Sequence, residues 1–452
     1  MPDLETLFLS ASRLLGDGEL AAAEVLLQDI LREAPDLAEA RANLALVYDR
    51  QGRSELAEAA YRQTLALAPA LVQARLNFGL LLAAQKRFAE AEACYLRALR
   101  DDPQAADAWS QLGVLYACHK REAEAEQCYR SALAINSGHG AAAFNLAYVL
   151  LRQGRYEEGW ARLEARDWYA ALDRALALPR WQGEPLAGKA ILIGLEAGHG
   201  DMIQFCRYSA QLKAAGARRV SVLCHPPLAR LLRRLPGVDD SIALGDGVAD
   251  PHWDFWTPPL SLPYRFATRL DSIPAELPYL AAEPAAVAAW AGRLGADEGR
   301  RVGLVWKGNP RFENDRERSL PSLGTLAPLA GIPGLQFFSL QKGAGENEAA
   351  APPFPLTDLA AEIGNFADTA AIIANLDLVI AVDTAVAHLA GALGKPCWVL
   401  LPDYKTDWRW LEGRTDTPWY PGVVRLFRQP PGGGWSPVID AVAAALAAFA
   451  AT

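Results

Sequence analysis

Cysteine is sparse and scattered: the six cysteines, Cys94, Cys118, Cys128, Cys206, Cys224 and Cys397, form no C-x-x-C spacing. That argues against a zinc site and a disulfide framework, and fits a reduced, cytoplasmic setting. Positive charge is in deficit, with 53 acidic against 44 basic residues and a net charge of −9, so the chain as a whole offers no electrostatic footprint for nucleic acid. The amino terminus, Met1-Pro2-Asp3-Leu4-Glu5, lacks the basic and apolar regions of a secretory leader, and the alanine-rich stretch 441–451 is too short to span a bilayer. A soluble, intracellular protein without a transmembrane segment is expected. Three catalytic signatures are also missing: G-x-G-x-x-G behind the first strand, G-x-x-x-x-G-K-[ST], and G-x-S-x-G. Dinucleotide-dependent dehydrogenase, P-loop and serine hydrolase readings fall with them.

What is present across these 452 residues, enough for two to four domains, begins with a repeat. Small residues recur at Ala11, Ala45, Gly79, Gly113 and Ala147, and again at Ala23, Ala57, Ala91, Ala125 and Gly159, every step being 34. In phase run Leu27, Tyr61, Tyr95, Tyr129 and Leu163, then Pro35, Pro69 and Pro103, with Ser137 in the fourth proline position. Each unit reads as a helical hairpin in which paired small residues let two backbones approach and the tyrosines fill the space around them. The prolines fall where the second helix stops. This spacing resembles the tetratricopeptide repeat, with about five units over 1–168.

Asn43, Asn77, Gln111 and Asn145 recur at one position of the first helix, again 34 apart. A ladder of amides both donates and accepts hydrogen bonds, which suits an extended peptide acceptor in the inner groove. The same amides also read as bonds between neighbouring helices. The last unit frays at Arg166, where a small residue is expected, and 169–182 reads as a linker.

From Lys189 the period changes. Apolar runs at 190–195, 220–224, 241–244 and 254–256 alternate with helical patterns, and a second series of strands follows at 301–306, 336–340, 378–382 and 397–400. Such alternation implies parallel sheets covered on both faces, so the expected class is an α-solenoid followed by two doubly wound α/β domains, at 183–284 and 285–436, with a closing helix at 437–452.

The segment from Asp377 to Pro396 contains a buried strand ending at Asp383 and a helix of small residues opening directly behind it. The free N–H groups of that helix start, with the Thr384 hydroxyl, suit a phosphate, and His388 lies one turn on along the same face. The bland alternatives are a helix cap for Asp383 and Thr384 and a core position for His388.

These residues resemble the diphosphate-binding segment of GT-B glycosyltransferases, particularly the heptosyltransferase-like family (glycosyltransferase family 9) and, more distantly, O-linked N-acetylglucosamine transferases. Further matching motifs occur in the same order: Gly198-His199-Gly200-Asp201, Val305-Trp306-Lys307-Gly308-Asn309-Pro310, Ser339-Leu340-Gln341-Lys342-Gly343, Asp407-Trp408-Arg409-Trp410 and Pro418-Trp419-Tyr420-Pro421. The resemblance implies that the carboxyl-terminal α/β domain holds a nucleotide sugar through Lys307, Asn309, Gln341, Lys342, Asp383, Thr384 and His388. Trp408 and Trp410 would stack on base or sugar, or alternatively pack between the domains. The amino-terminal α/β domain would present the acceptor, with Asp201 as catalytic base and His199 in reserve; a plain cap at a helix start is the competing role for Asp201. With no D-x-D pair in the sequence, charge stabilisation by cations and helix N–H groups, without metal or other cofactor, is the expected mechanism. Arg316 and Arg318 read as part of a mobile charged loop. An inverting transferase acting on an acceptor docked along the repeats is the principal expectation, with donor binding unaffected by loss of 1–168. The alternative is a repeat scaffold carrying a decayed transferase domain.

Overall fold

The computed structural model describes residues 3–247, 252–295 and 299–451. Contacts divide the chain into two compact units, Met1–Val149 and Leu150–Thr452.

The first unit is a run of helical hairpins with the 34-residue period: Leu4–Gly16 with Leu20–Glu33, Ala38–Arg50 with Ser54–Leu67, Val72–Ala84 with Phe88–Asp101, and Ala106–Cys118 with Glu122–Ile135. The small residues are needed for space. A Cβ on Gly79 would come within 2.5 Å of the Tyr95 ring, and one on Gly113 within 2.6 Å of the Tyr129 ring. Pro35, Pro69 and Pro103 each stand two residues beyond a second helix, where a missing N–H costs nothing. A period the sequence reading passed over binds the units together: Arg53, Arg87 and Arg121 open successive second helices and pair with Glu24, Glu58 and Glu92 of the preceding ones at 2.8, 2.7 and 3.1 Å.

The second unit starts earlier than the repeat pattern implies. Helix Tyr156–Leu163, the second helix of the fifth hairpin, belongs to it and buries Tyr156, Trp160 and Leu163 there. Trp160 donates its indole N–H to the Thr268 carbonyl at 3.0 Å and meets Trp408 edge-on at 5.3 Å, while Trp419 donates to the Tyr156 hydroxyl at 3.1 Å. Arg166, the apparent defect in the repeat, is the centre of a closed ionic group. Its side chain and that of Glu196 are both 0% exposed and 2.6 Å apart, and it also bonds Glu164 and Ser261. Segment 169–182, expected to be a linker, is instead packed: helix Ala170–Leu176 follows Tyr169, and Tyr169, Leu172 and Leu176 lie against Trp256 and Leu192. Its apolar residues have partners far along the chain that local composition does not announce.

Among the described residues, two all-parallel sheets make up the rest. The first contains β1 Ala190–Ile193, β2 Arg219–Cys224, β3 Asp240–Ala243 and β4 Phe255–Thr257 in the order β3-β2-β1-β4. The second contains β5 Arg300–Val305, β6 Leu335–Ser339, β7 Thr357–Asp358, β8 Leu378–Val382, β9 Cys397–Leu401 and β10 Val424–Arg428 in the order β10-β9-β8-β5-β6-β7. Strands β8 and β9 are buried along their whole length, as continuous apolar runs in a covered parallel sheet should be. Leu323–Gly331 is a 3-10 segment, with Pro328 inside it unable to supply a helix hydrogen bond. Helix Ser436–Ala450 closes the second sheet, placing Val438, Ile439, Val442 and Leu446 in its core.

Candidate functional site

In an open parallel sheet, the loops leaving two adjacent strands part to opposite faces where the strand order reverses, and a crevice opens at their carboxyl ends. In the second sheet that point lies between β5 and β8. Behind β5 come Trp306, Lys307 and Gly308; behind β8 come Asp383 and Thr384. In the first sheet the reversal lies between β1 and β4, and the loop behind β1 carries Gly198 to Asp201. Topology alone therefore brings three of the sequence motifs to the carboxyl ends of strands at the order reversals.

Thr384 is the residue before helix Ala385–Ala392, and no side chain caps that helix. Its hydroxyl is buried without a hydrogen-bond partner. The helix start therefore has both its N–H groups and an adjoining hydroxyl unclaimed by side chains. Asp383 does not cap the helix either. Burial, and then the neighbouring Asp407 carboxylate, push its pKa up to about 6, against the pull of Arg318 and Arg409. His388 is buried one turn along, its Nδ1 2.9 Å from the Tyr420 hydroxyl and its ring stacked on Trp410 at 5.4 Å. Burial, then Arg409, Arg207 and Arg318, hold its pKa well below the ordinary histidine value, so it is a neutral imidazole.

Arg318 differs from its expectation as part of a mobile loop. It closes the short helix Asp315–Arg318, donates to the Asp383 carbonyl at 2.9 Å and pairs with Asp315 at 3.1 Å. Gly308 is what admits it: a Cβ there would lie 2.7 Å from the guanidinium. Arg316 stays exposed. The Lys307 ammonium rests on the Pro321 carbonyl at 2.9 Å and Glu348 at 3.2 Å. Gln341 is spent inside the protein. Its oxygen accepts from the Trp306 and Lys307 N–H groups and its nitrogen donates to the Lys307 and Ala344 carbonyls, so it shapes the loop behind β5. Lys342 donates to the Ala360 carbonyl at 2.7 Å, and Asn309 turns its own loop by accepting from the Arg311 N–H.

Trp408 and Trp410, expected as stacking surfaces for a ligand, are core residues at 1% and 0% exposure. Tyr156, Trp160, Phe205 and Trp419 surround Trp408, and His388 lies on Trp410. Their faces are taken by protein, the alternative the sequence had left open.

On the first sheet, Asp201 sits in the first turn of helix His199–Phe205. One carboxylate oxygen accepts from the Gly198 N–H at 2.9 Å, and the other pairs with Arg409. The carboxylate thus does serve the helix start, and reaches beyond it as well. His199 lies 4.7 Å from the His225 ring and 5.1 Å from Phe366, and burial, then His225, lower its pKa. Asn43, Asn77, Gln111 and Asn145 belong to the first unit, where each is half-buried. Asn43 bonds Ser12 of the neighbouring hairpin at 3.2 Å, and Asn77 accepts from Gln73 within its own helix. Sequence reasoning placed Arg318 on a mobile loop and quoted Arg409 and Tyr420 within motifs without giving them a role; for Arg318 a local hint is Gly308, whose bare backbone makes room for it.

Comparison with known families agrees with this architecture. Residues 340–400 match the glycosyltransferase family 9 (heptosyltransferase) model, and residues 38–71 and 76–140 match tetratricopeptide repeat models. The chain combines tetratricopeptide repeats with a glycosyltransferase family 9 domain. Among individual proteins it is similar to Protein FlbA of Caulobacter vibrioides, with 30% identity over 346 residues, 68% of this chain and 55% of FlbA. The chain thus spans about half the length of that curated relative. Similar solved structures include Pseudomonas aeruginosa PilF, at 25% identity and a TM-score of 0.34, covering 36% of this chain and 75% of PilF. Another is a thermophilic tetratricopeptide repeat protein of Thermus thermophilus, at 22% identity and a TM-score of 0.33, covering 38% of this chain and 91% of that one. Among the described residues, no helix is long and apolar enough to cross a membrane.

Proposed function

We propose that the chain transfers a sugar from a nucleotide-sugar donor to an acceptor hydroxyl, with the second unit working as a GT-B transferase and the repeats recruiting a protein or surface-glycan acceptor in the cytoplasm. The observation that carries this reading is the side-chain-free helix start at Thr384, with its unbonded buried hydroxyl and Arg318 beside it, at the strand-order reversal of the second sheet. Such a helix start is a ready anion site, and the guanidinium adds the positive charge a diphosphate needs.

In the reaction, Asp201 takes the proton from the acceptor hydroxyl as its oxygen attacks the anomeric carbon. The bond from that carbon to the phosphate oxygen breaks, and the nucleoside diphosphate leaves with the electron pair. Arg318, Lys307, Thr384 and the helix N–H groups meet the charge that develops there, which makes the route metal-independent. One displacement from the face opposite the leaving group inverts the anomeric centre. His388, neutral and fixed by Tyr420, packs the floor of this site. The second reading, a repeat scaffold with a decayed transferase domain, draws on the occupied state of Lys307, whose ammonium already has Glu348 as partner.

Calorimetry with ADP, GDP and UDP, followed by a hydrolysis panel of nucleotide sugars, separates the two. Binding that weakens at least about tenfold in Arg318→Ala, with release of a nucleoside diphosphate from one donor, supports the transferase. Binding without turnover of any donor in the presence of cell extract favours the scaffold.

A further inference from the structure

Arg409 contacts Asp201, Gln204 and Asp407 together, so it joins the helix behind β1 to the segment behind β9. Its Nε donates to Gln204 at 2.7 Å, one terminal nitrogen holds Asp407 at 3.0 Å, and the other holds Asp201. Its flat faces are covered too, with the guanidinium carbon 4.4 Å from the Trp408 ring and 5.3 Å from Phe205. The side chain is only 7% exposed, while that of Asp201 keeps 23%. A planar cation gripped on its edges and faces has no freedom left. The carboxylate it grips is held at both oxygens, by Arg409 and by the Gly198 N–H, yet remains open on one side.

We infer that Arg409 is the positioning residue of the transfer reaction: it aims the Asp201 carboxylate at the acceptor hydroxyl across the crevice, an assignment that rests on Asp201 being the base. An arginine is required because its fork places several donors in one plane; a lysine supplies the charge at a single point. Misaiming a general base costs rate and leaves donor binding intact where the diphosphate is held, as proposed above, by Thr384, the helix N–H groups, Lys307 and Arg318.

The test uses the full chain, with Arg409→Lys, Arg409→Met, Asp201→Asn and the Asp201→Asn/Arg409→Lys double variant. The readouts are nucleoside diphosphate release from the nucleotide sugar that the wild type consumes, and calorimetric affinity for the corresponding nucleoside diphosphate. Expected are a kcat lowered at least about tenfold in Arg409→Lys and about a hundredfold in Arg409→Met, with affinity within about twofold of wild type. The double variant should be no slower than Asp201→Asn alone, because a residue acting through Asp201 has nothing left to aim. Unchanged kcat in Arg409→Lys, affinity falling in step with kcat, or losses that multiply in the double variant each overturn the inference while leaving the transferase reading intact. If Arg409→Met fails to fold, the lysine variant and the double variant decide. A wild type that releases nucleoside diphosphate from no donor overturns the transferase reading and this assignment together.

Discussion

Gly200 lies against the imidazole of His388, so closely that a Cβ on the glycine would come within 2.8 Å of the ring and 3.5 Å of the Ala385 backbone. The helix behind β1 and the helix behind β8 touch at this point, and the absence of a side chain is what lets them. His388 cannot swing away, being stacked on Trp410 and bonded to Tyr420.

Gly200→Val should therefore destabilise the second unit by about 1 to 3 kcal/mol through overpacking, with Gly200→Ala intermediate. Urea unfolding of the full chain, followed by tryptophan fluorescence, measures it. A valine variant as stable as the wild type would mean that the two helices are free to part.

Asp383 yields a pH-dependent prediction. Its pKa is raised to about 6 from 3.8, so between those values the native state binds more protons than the unfolded chain, and stability falls as pH rises through that window. Above about pH 6 the full cost is present; below 3.8 it is absent. Asp383→Asn should accordingly stabilise the protein by about 1 to 3 kcal/mol at about pH 7.5 and by almost nothing at about pH 3.5. Paired denaturation curves at the two pH values check this, and a gain of equal size at both would assign the effect to something other than charge.

The junction makes a third prediction, which corrects the expectation that loss of 1–168 spares donor binding. A chain beginning at residue 169 lacks Tyr156, Trp160 and Arg166, leaving Trp408, Trp419 and Glu196 without their buried partners. It should aggregate or melt without cooperativity, whereas a chain beginning at residue 140 should give a cooperative transition. In the full chain, Trp160→Ala should cost about 3 to 5 kcal/mol. A well-folded chain from residue 169 would show the helix Tyr156–Leu163 to be an accessory.

In the repeats, Gly79→Ala sets two effects in opposition. Alanine favours a helix over glycine by about 1 kcal/mol, but the added methyl meets the buried Tyr95 ring at 2.5 Å. The clash should win, lowering stability by about 1 to 3 kcal/mol, and Tyr95→Leu should recover part of the loss in the double variant. Circular dichroism melts of the four proteins give the coupling directly.

How much of this was legible beforehand depends on how far apart the interacting residues lie. The 34-residue period reports contacts between neighbours, Gly79 with Tyr95 for example, and such contacts repeat often enough to stand out. Strand β8 and the helix behind it were equally legible, since an apolar run followed by small residues needs no distant partner to be recognised. Edge strand β10 was not read at all, because its ladder partner β9 lies across a long loop and its own sequence is flanked by loop residues.

The chain's own order of residues thus determined the class of each half: a solenoid from a short-range period, and α/β layers from strands alternating with helices, both set by local periodicity and backbone sterics. Only the tertiary structure decided which side chains face the crevice and which vanish into the core. Trp408 and Trp410 are buried because Tyr156, Trp160 and His388 arrive from elsewhere to cover them. Asp201 meets Arg409 across a sequence separation of 208 residues. A contact of that range leaves no periodic trace, because it occurs once and is fixed by the packing of two sheets rather than by anything adjacent in the chain.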